Sequence, residues 1–453
     1  MQIKSSETTS LTHHLPDVLW KRGALWLLFL GAVFFIAYNF ANGYTSTRAD
    51  VGVMVADWER SLPFVPWMML PYMSIDLFYA ASLFMFRKRK QLDRHALRLL
   101  LATVISVLGF LIFPLRFSFA VPKAEGFNGL LQAALLTFDK PYNQAPSLHI
   151  SLLIVLWVMY AKKLHGYARL ALHAWFLAIG ASVLLVYQHH FIDVWTGALA
   201  GLASLYLIPD APFAWRWQPP SARSKVLAIC YGFGAFFLLI FGLLASQVCV
   251  WLVAFLLWGA TSLSLVAMAY FGFEQLIFQR HRGQMRWPAK LLLAPYLLGN
   301  WLSYRRYTYG GSWPIQVHDK TWLGAFPRNE VNKLGVMWFG VLNMTHEFGV
   351  APIAALHRKY LPVLDLTPPK PAIIVRAVRW LEQAQLSGNV LVHCALGVSR
   401  SASVVICWLI WRGLAADITQ AAAMLHRAGK SVVLSAEHRQ NIESALKSLG
   451  KHG

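Results

Sequence analysis

Nine consecutive residues near the C-terminal end carry the groups a phosphoryl transfer needs: His393-Cys394-Ala395-Leu396-Gly397-Val398-Ser399-Arg400-Ser401. They follow the strand-like run Val390-Leu391-Val392 and lead into an apolar helical stretch. A strand, a tight loop and a helix N-terminus in that order form a cradle of backbone N–H groups for an anion, and Gly397 lets the backbone approach it closely. The same field lowers the pKa of a thiol at the base of the loop, so Cys394 is expected to be a thiolate nucleophile at neutral pH. Arg400 can grip two phosphoryl oxygens bidentately as charge shifts, which lysine does less well. The Ser401 hydroxyl is placed to orient the thiolate or to assist its departure.

The segment resembles the HCxxGxxR[ST] signature of Cys-dependent protein tyrosine and dual-specificity phosphatases, with every fixed position met, His393 included. Upstream, Trp322-Leu323-Gly324, Pro327 and Val341-Leu342-Asn343-Met344-Thr345-His346-Glu347 resemble further segments of that family. The likeness covers roughly residues 310 to 450. It implies a general acid at Asp365, in Val363-Leu364-Asp365-Leu366-Thr367-Pro368-Pro369, because an alkoxide or phenolate is a poor leaving group. The Asp-Leu-Thr-Pro-Pro form resembles the branch that includes a mitochondrial phosphatidylglycerophosphate phosphatase.

A second group of polar residues punctuates the otherwise apolar first half: Arg116 and Lys123, then Pro146-Ser147-Leu148-His149, then His189-His190-Phe191-Ile192-Asp193. His189 with Asp193 four residues on suits an oriented imidazole nucleophile, His149 a proton donor, and Arg116 and Lys123 the cations for phosphate oxygens. His190 is read as non-catalytic. The set resembles the type 2 phosphatidic acid phosphatase superfamily, whose motifs are K-x6-RP, PSGH and SR-x5-H-x3-D, over roughly residues 60 to 210. Ser147 falls in the second motif, where Leu148 replaces Gly. Arg116 and Lys123 keep the first motif's spacing with identities exchanged. The third keeps Ser182, His189, Asp193 and Gly197 but has Val183 in place of Arg. These departures resemble the inositolphosphotransferase-like branch, which transfers phosphoryl head groups as well as hydrolysing them.

The elements that must position these residues follow from composition. Of 453 residues, 57% are hydrophobic and only 13% charged, which excludes an ordinary soluble or disordered chain. Apolar stretches of spanning length recur over residues 22–40, 63–86, 97–115, 149–162, 170–187, 193–209, 226–246 and 248–272. The net charge of +21 is concentrated on alternate loops: Arg87 to Lys90, Arg94 and Arg98; Lys162, Lys163 and Arg169; Arg216, Arg223 and Lys225; Arg280, Arg282 and Arg286. By the positive-inside rule the N-terminus, those loops and everything after residue 280 face the cytoplasm. That arrangement excludes nucleic acid as a partner, since no basic patch interleaved with aromatics sits on one soluble surface. Residues 287 to 307 contain Pro295 and flanking cations, and are read as a helix lying at the interface. Beyond residue 310 charges spread evenly, and VMWFGVLNM, YLPVLDL and NVLVH read as strands separated by helical patterns.

The expected architecture is a polytopic α-helical bundle of about eight spans with a six-helix phosphatidic-acid-phosphatase-like core, followed by a cytoplasmic α/β phosphatase domain. The expected segments are a cytoplasmic tail over 1–21, the core over 22–210, two further spans over 211–280, an interfacial linker over 281–309 and the phosphatase domain over 310–453. The leading functional expectation is a bifunctional membrane phosphatase of a bacterial inner membrane, with a Cys394 site inside and a His189 site outside. Its expected partners are membrane lipids or lipid phosphates, with phosphoproteins as the other substrate class. The rivals are an anchored protein phosphatase on a degenerate bundle, and a non-catalytic phosphate-sensing domain on a lipid transporter or scaffold. Cysteine and histidine mechanisms of these kinds need no metal and no cofactor, and four scattered cysteines suggest neither a disulfide framework nor a zinc site.

Overall fold

The computed structural model describes residues 19–137, 140–210, 217–246, 249–281, 283–309 and 313–450. The expected N-terminal tail lies outside the described residues up to position 18, as do Arg216 and Arg282. The chain divides into two units, one of Met1–Pro212 with Ile240–Leu256, the other of Phe213–Leu239 with Leu257–Gly453.

Every expected apolar segment carries a helix: α1 (Leu19–Ser46), α2 (Met69–Ser82), α3 (Arg89–Ile112), α5 (Leu148–Ala161), α6 (Gly166–Leu185), α7 (Phe191–Leu207), α8 (Ala222–Ala245) and α9 (Val250–Met268). An additional helix, α4 (Gly126–Leu136), has only 11 residues, too few to register as a span. Among the described residues, five helical stretches are long and apolar enough to cross a membrane: α1, α3, α6, α8, and Val250–Phe273, which contains α9. The exteriors match that composition, with Leu28 and Ile36 of α1 each 72% exposed. Helices α5 and α7 pack closely because α7 presents glycine at a four-residue interval. A Cβ on Gly197 would stand 2.6 Å from the Ser147 carbonyl oxygen, and one on Gly201 2.8 Å from that of Ser151.

The second unit continues with α10 (Glu274–Phe278), the short hairpin β1 (Arg280–His281) and β2 (Gln284–Met285), then α11 (Trp287–Leu292) and α12 (Ala294–Tyr307). The segment expected at the interface is therefore two helices, broken at Leu293 just before Pro295, which occupies the first turn of α12 where its missing N–H costs nothing. Beyond it lie β3 (Ile315–His318), β4 (Thr321–Gly324), β5 (Trp338–Thr345), β6 (Ala355–Val363), α13 (Pro371–Ser387), β7 (Asn389–His393), α14 (Arg400–Trp411), α15 (Ile418–Arg427) and α16 (Ala436–Leu449).

The sheet runs β3-β4-β7-β5-β6; β3 and β4 are antiparallel, and the pairs β4–β7, β7–β5 and β5–β6 are parallel. Strand β7 is central, and Val390, Leu391 and Val392 are fully buried, as expected for a strand covered on both faces. Ile374, Ala377, Val378 and Leu381 of α13, with Val404, Val405, Ile406 and Trp408 of α14, fill the core against it. The three parallel crossings leave the carboxyl ends of β4, β5, β6 and β7 at one edge, the usual place for a ligand crevice in an open α/β sheet. Strand β6 starts at Ala355, five residues before the expected run, because His357, Arg358 and Lys359 interrupt the apolar pattern of an edge strand.

Candidate functional site

The chain leaves β7 at His393 and enters α14 at Arg400, so residues 394 to 399 form a loop over the helix N-terminus. Gly397 has φ +77°, and a Cβ there would lie 2.5 Å from the Gly324 backbone at the end of β4. Only glycine fits. The Gly397 N–H and the Ser401 hydroxyl each donate to the Cys394 sulfur at 3.2 Å. Burial pushes the buried thiol up, but the Arg400 charge and these donors outweigh it and hold Cys394 below the ordinary thiol range. The loop is pinned from outside: Phe326 N–H donates to the Ala395 carbonyl, Val433 N–H to the Val398 carbonyl, and the His438 ring bridges Ser399 and Ser435. His393 is completely buried beside Cys394, with Nδ1 3.3 Å from the Cys394 carbonyl oxygen. Burial lowers its pKa to about 4, so the ring is neutral and Nδ1–H is the donor.

Arg400 is held in one plane by Glu347. The guanidinium donates to both Glu347 carboxylate oxygens, at 3.1 and 2.5 Å, and to the Val363 carbonyl at 2.9 Å. The same NH2 group reaches Asp365 at 2.9 Å. Glu347 follows β5 and Asp365 follows β6, so the sheet edge brings together residues 53 and 35 positions from Arg400. Asp365 is one-third exposed, whereas Arg400 and Glu347 are buried. Cys394, Arg400, Asp365, Ser401, Gly397 and His393 thus converge as the sequence predicts. Glu347 stands in the quoted Val341–Glu347 segment, but no role was legible for it because its partner is distant in the chain.

Cys394, Arg400 and Asp365 line a cavity of about 740 Å³. Its far wall is Asn300, Ser303, Tyr304 and Tyr307 of α12 with Arg223 from the first turn of α8. Sequence reasoning assigned Arg223 to loop charge and the tyrosines to an interfacial belt; nothing in their local pattern indicates that they face Cys394.

In the helical unit, His149 and His189 line one cavity of about 390 Å³, together with Tyr72, Asp76, Tyr79 and Asn143. His149 stacks on Tyr72 with centroids 4.2 Å apart, and among the described residues its Nε2 has no hydrogen-bond partner. His189 Nδ1 is 3.5 Å from Asp193 Oδ2, which accepts from the His190 N–H at 2.7 Å. The expected cations are not there. Arg116 and Lys123 are exposed and do not line the cavity, since they sit in a long connection that spacing alone does not fold toward α5 and α7; among the described residues no lysine or arginine lines it. Ser147, expected to bind substrate, caps α5 by accepting from the Ile150 N–H at 3.4 Å. His190 is held structurally between Glu59 at 2.9 Å and Ser118 at 3.1 Å.

Residues 355–445, from the start of β6 into α16, match the family model described as dual specificity phosphatase, catalytic domain. Similar solved structures include Tk-PTP in its active form, 19% identical over 30% of this chain and 96% of that one, with a TM-score of 0.27. PTPMT1 in complex with PI(5)P is 20% identical over 30% and 96% of the two chains, TM-score 0.26. Human DUSP28 is 21% identical over 30% and 94%, TM-score 0.27. With the family match resting on the strands and helices that bring Cys394, Arg400 and Asp365 to one sheet edge, the C-terminal part of the chain is a dual-specificity phosphatase catalytic domain, and the protein is a phosphatase.

Proposed function

We propose that the chain is a membrane-anchored, Cys394-dependent phosphomonoesterase whose substrate is a lipid phosphate presented at the cytoplasmic face of a bacterial inner membrane. The observation that carries this reading is the far wall of the catalytic cavity. A substrate that seats its phosphate in the Cys394 loop shares its cavity with residues of α12 and with Arg223. Helix α12 has the Trp, Tyr and Arg content of an interfacial helix, and Arg223 opens an apolar helix long enough to cross a membrane. A membrane-borne head group meets such a cleft at high effective concentration.

In the reaction the Cys394 thiolate attacks phosphorus, a sulfur–phosphorus bond forms, and the phosphorus–oxygen bond to the leaving group breaks. Protonated Asp365 delivers its proton to the departing oxygen. Arg400, held flat by Glu347, stabilises the equatorial oxygens, and the loop N–H groups share that charge. The Asp365 carboxylate then takes a proton from the water that attacks phosphocysteine, releasing phosphate and restoring the thiolate, to which Ser401 donates.

A second reading, a His189-dependent phosphotransfer site facing outward, is favoured by one observation: His149 and His189 share a cavity. Among the described residues its lining carries no lysine or arginine, which argues for weak phosphate binding, so this site is expected to add only a minor share of total phosphate release.

The test is phosphate release by the purified full-length protein from vesicles bearing phosphatidylglycerophosphate or phosphoinositides, compared with phosphotyrosine peptides, with Cys394→Ser as the blank. Turnover concentrated on lipid is expected. Turnover on peptides alone would make the protein an anchored protein phosphatase, and turnover on neither would leave a sensing domain.

A further inference from the structure

Helix α9 does not end regularly. Ala269–Phe273 forms a π-helical turn, a feature that recurs at functional sites, with Gly272 at φ +123°. A Cβ there would lie 2.2 Å from the Gln218 carbonyl oxygen, so the turn requires glycine. The chain entering α8 clasps it: Gln218 N–H donates to the Gly272 carbonyl at 3.0 Å, and the Trp217 indole to the Phe271 carbonyl at 2.9 Å.

The distortion directs Tyr270 at the loop that carries Asp365. The Tyr270 ring is 1% exposed and stacks on Tyr231 of α8, centroids 5.2 Å apart. Its hydroxyl donates to the Asp365 backbone carbonyl at 2.9 Å. Leu364 is buried in the same cluster. At the loop's far end Lys370 pairs with Glu274, just past the π turn, at 3.1 Å, and donates to Gln218 Oε1 at 3.0 Å. The segment from Leu364 to Lys370 is therefore fastened at both ends to the last turns of α9 and the segment leading into α8, while its one catalytic carboxylate points back to Arg400.

We propose that Tyr270 is a positioning residue for Asp365: the kinked end of α9 sets the height of the carboxyl group above Cys394, so proton delivery depends on a residue outside the phosphatase family match. The inference rests on the reading of Asp365 as the general acid. Its signature is leaving-group dependence. An alkoxide needs a correctly placed proton, whereas a nitrophenolate departs without one.

The experiment compares full-length wild type, Tyr270→Phe and Asp365→Asn in detergent on an alkyl phosphomonoester and on p-nitrophenyl phosphate, with vanadate inhibition reporting the Cys394 loop. Loss of one oriented hydrogen bond should lower kcat for the alkyl ester about five- to tenfold. The nitrophenyl rate should change less than about twofold, since its departure needs little general-acid help. Vanadate affinity should be unchanged. Asp365→Asn should show the same selectivity with a loss of about a hundredfold or more. Gly272→Ala, which disturbs the turn from the backbone, should reproduce the Tyr270→Phe pattern. Equal losses on both esters with weakened vanadate binding would reduce Tyr270 to a packing role and overturn the inference. A normal Tyr270→Phe enzyme beside a crippled Asp365→Asn would overturn it while leaving the proposed function intact. An Asp365→Asn enzyme without leaving-group selectivity would overturn the general-acid reading itself.

Discussion

Cys394 is made reactive by its neighbours rather than by exposure. Buried at 2% exposure, it would titrate above an ordinary thiol but for Arg400, Ser401 and the Gly397 N–H. Because its folded pKa is lowered, the thiolate persists as pH falls through the range where a free cysteine, near about 8.5, has already been protonated. The iodoacetate alkylation rate of the Cys394 peptide should therefore reach half its plateau below that value, measured by mass spectrometry across pH. Buried Cys407, whose pKa burial pushes up to about 12, should stay unlabelled throughout. Glu347 has no chemistry of its own but holds the guanidinium bidentately. Glu347→Gln should lower kcat/KM about a hundredfold, the cost of a misplaced catalytic group, with Cys394 alkylation still observed. The contiguous residues 393 to 401 were legible because a single loop supplies them. Glu347 was not, since its partner lies across the sheet, and Arg116 and Lys123 misled because a motif's spacing on a loop fixes no position in space.

Among the elements, the apolar helices and the central strand were legible from pattern alone, since long apolar runs and the fully buried Val390-Leu391-Val392 leave few alternatives. The hairpin of β3 and β4 was not recognised as strands, because four-residue strands around His318, Asp319 and Lys320 carry no periodicity. Nor does the sequence show that the chemistry lies where the carboxyl ends of four strands meet the ends of α8, α9 and α12. The helical unit depends on small residues at a close crossing. Gly201→Leu would drive a side chain into the Ser151 carbonyl and Ile154, so overpacking should destabilise the α5–α7 pair by about 1–3 kcal/mol. Thermal unfolding of the detergent-solubilised protein should show the lower midpoint, with p-nitrophenyl phosphatase activity at 20–25 °C retained, because that activity belongs to the other unit.

For the whole molecule, the cavity wall has a practical consequence: the phosphatase-like segment after residue 310 contains Cys394, Arg400 and Asp365, but neither Tyr270 nor the wall of Arg223 and α12. The catalytic loop was readable as one motif; the dependence of its cleft on the helical region was not, because each contributing residue also suits an ordinary interfacial role. Two nucleophiles compete for the assignment, the Cys394 thiolate and the His189 imidazole, and their phosphorylated forms differ chemically, phosphocysteine surviving acid that hydrolyses phosphohistidine. The most direct measurement reconstitutes the full-length protein in liposomes, adds a lipid phosphomonoester labelled in its phosphoryl group, quenches during turnover in acid and in alkali, and maps the labelled peptide. The account predicts acid-stable label on the Cys394 peptide, absent from Cys394→Ser and unaffected by His189→Ala. Acid-labile label on the His189 peptide, with Cys394 unlabelled, would contradict it.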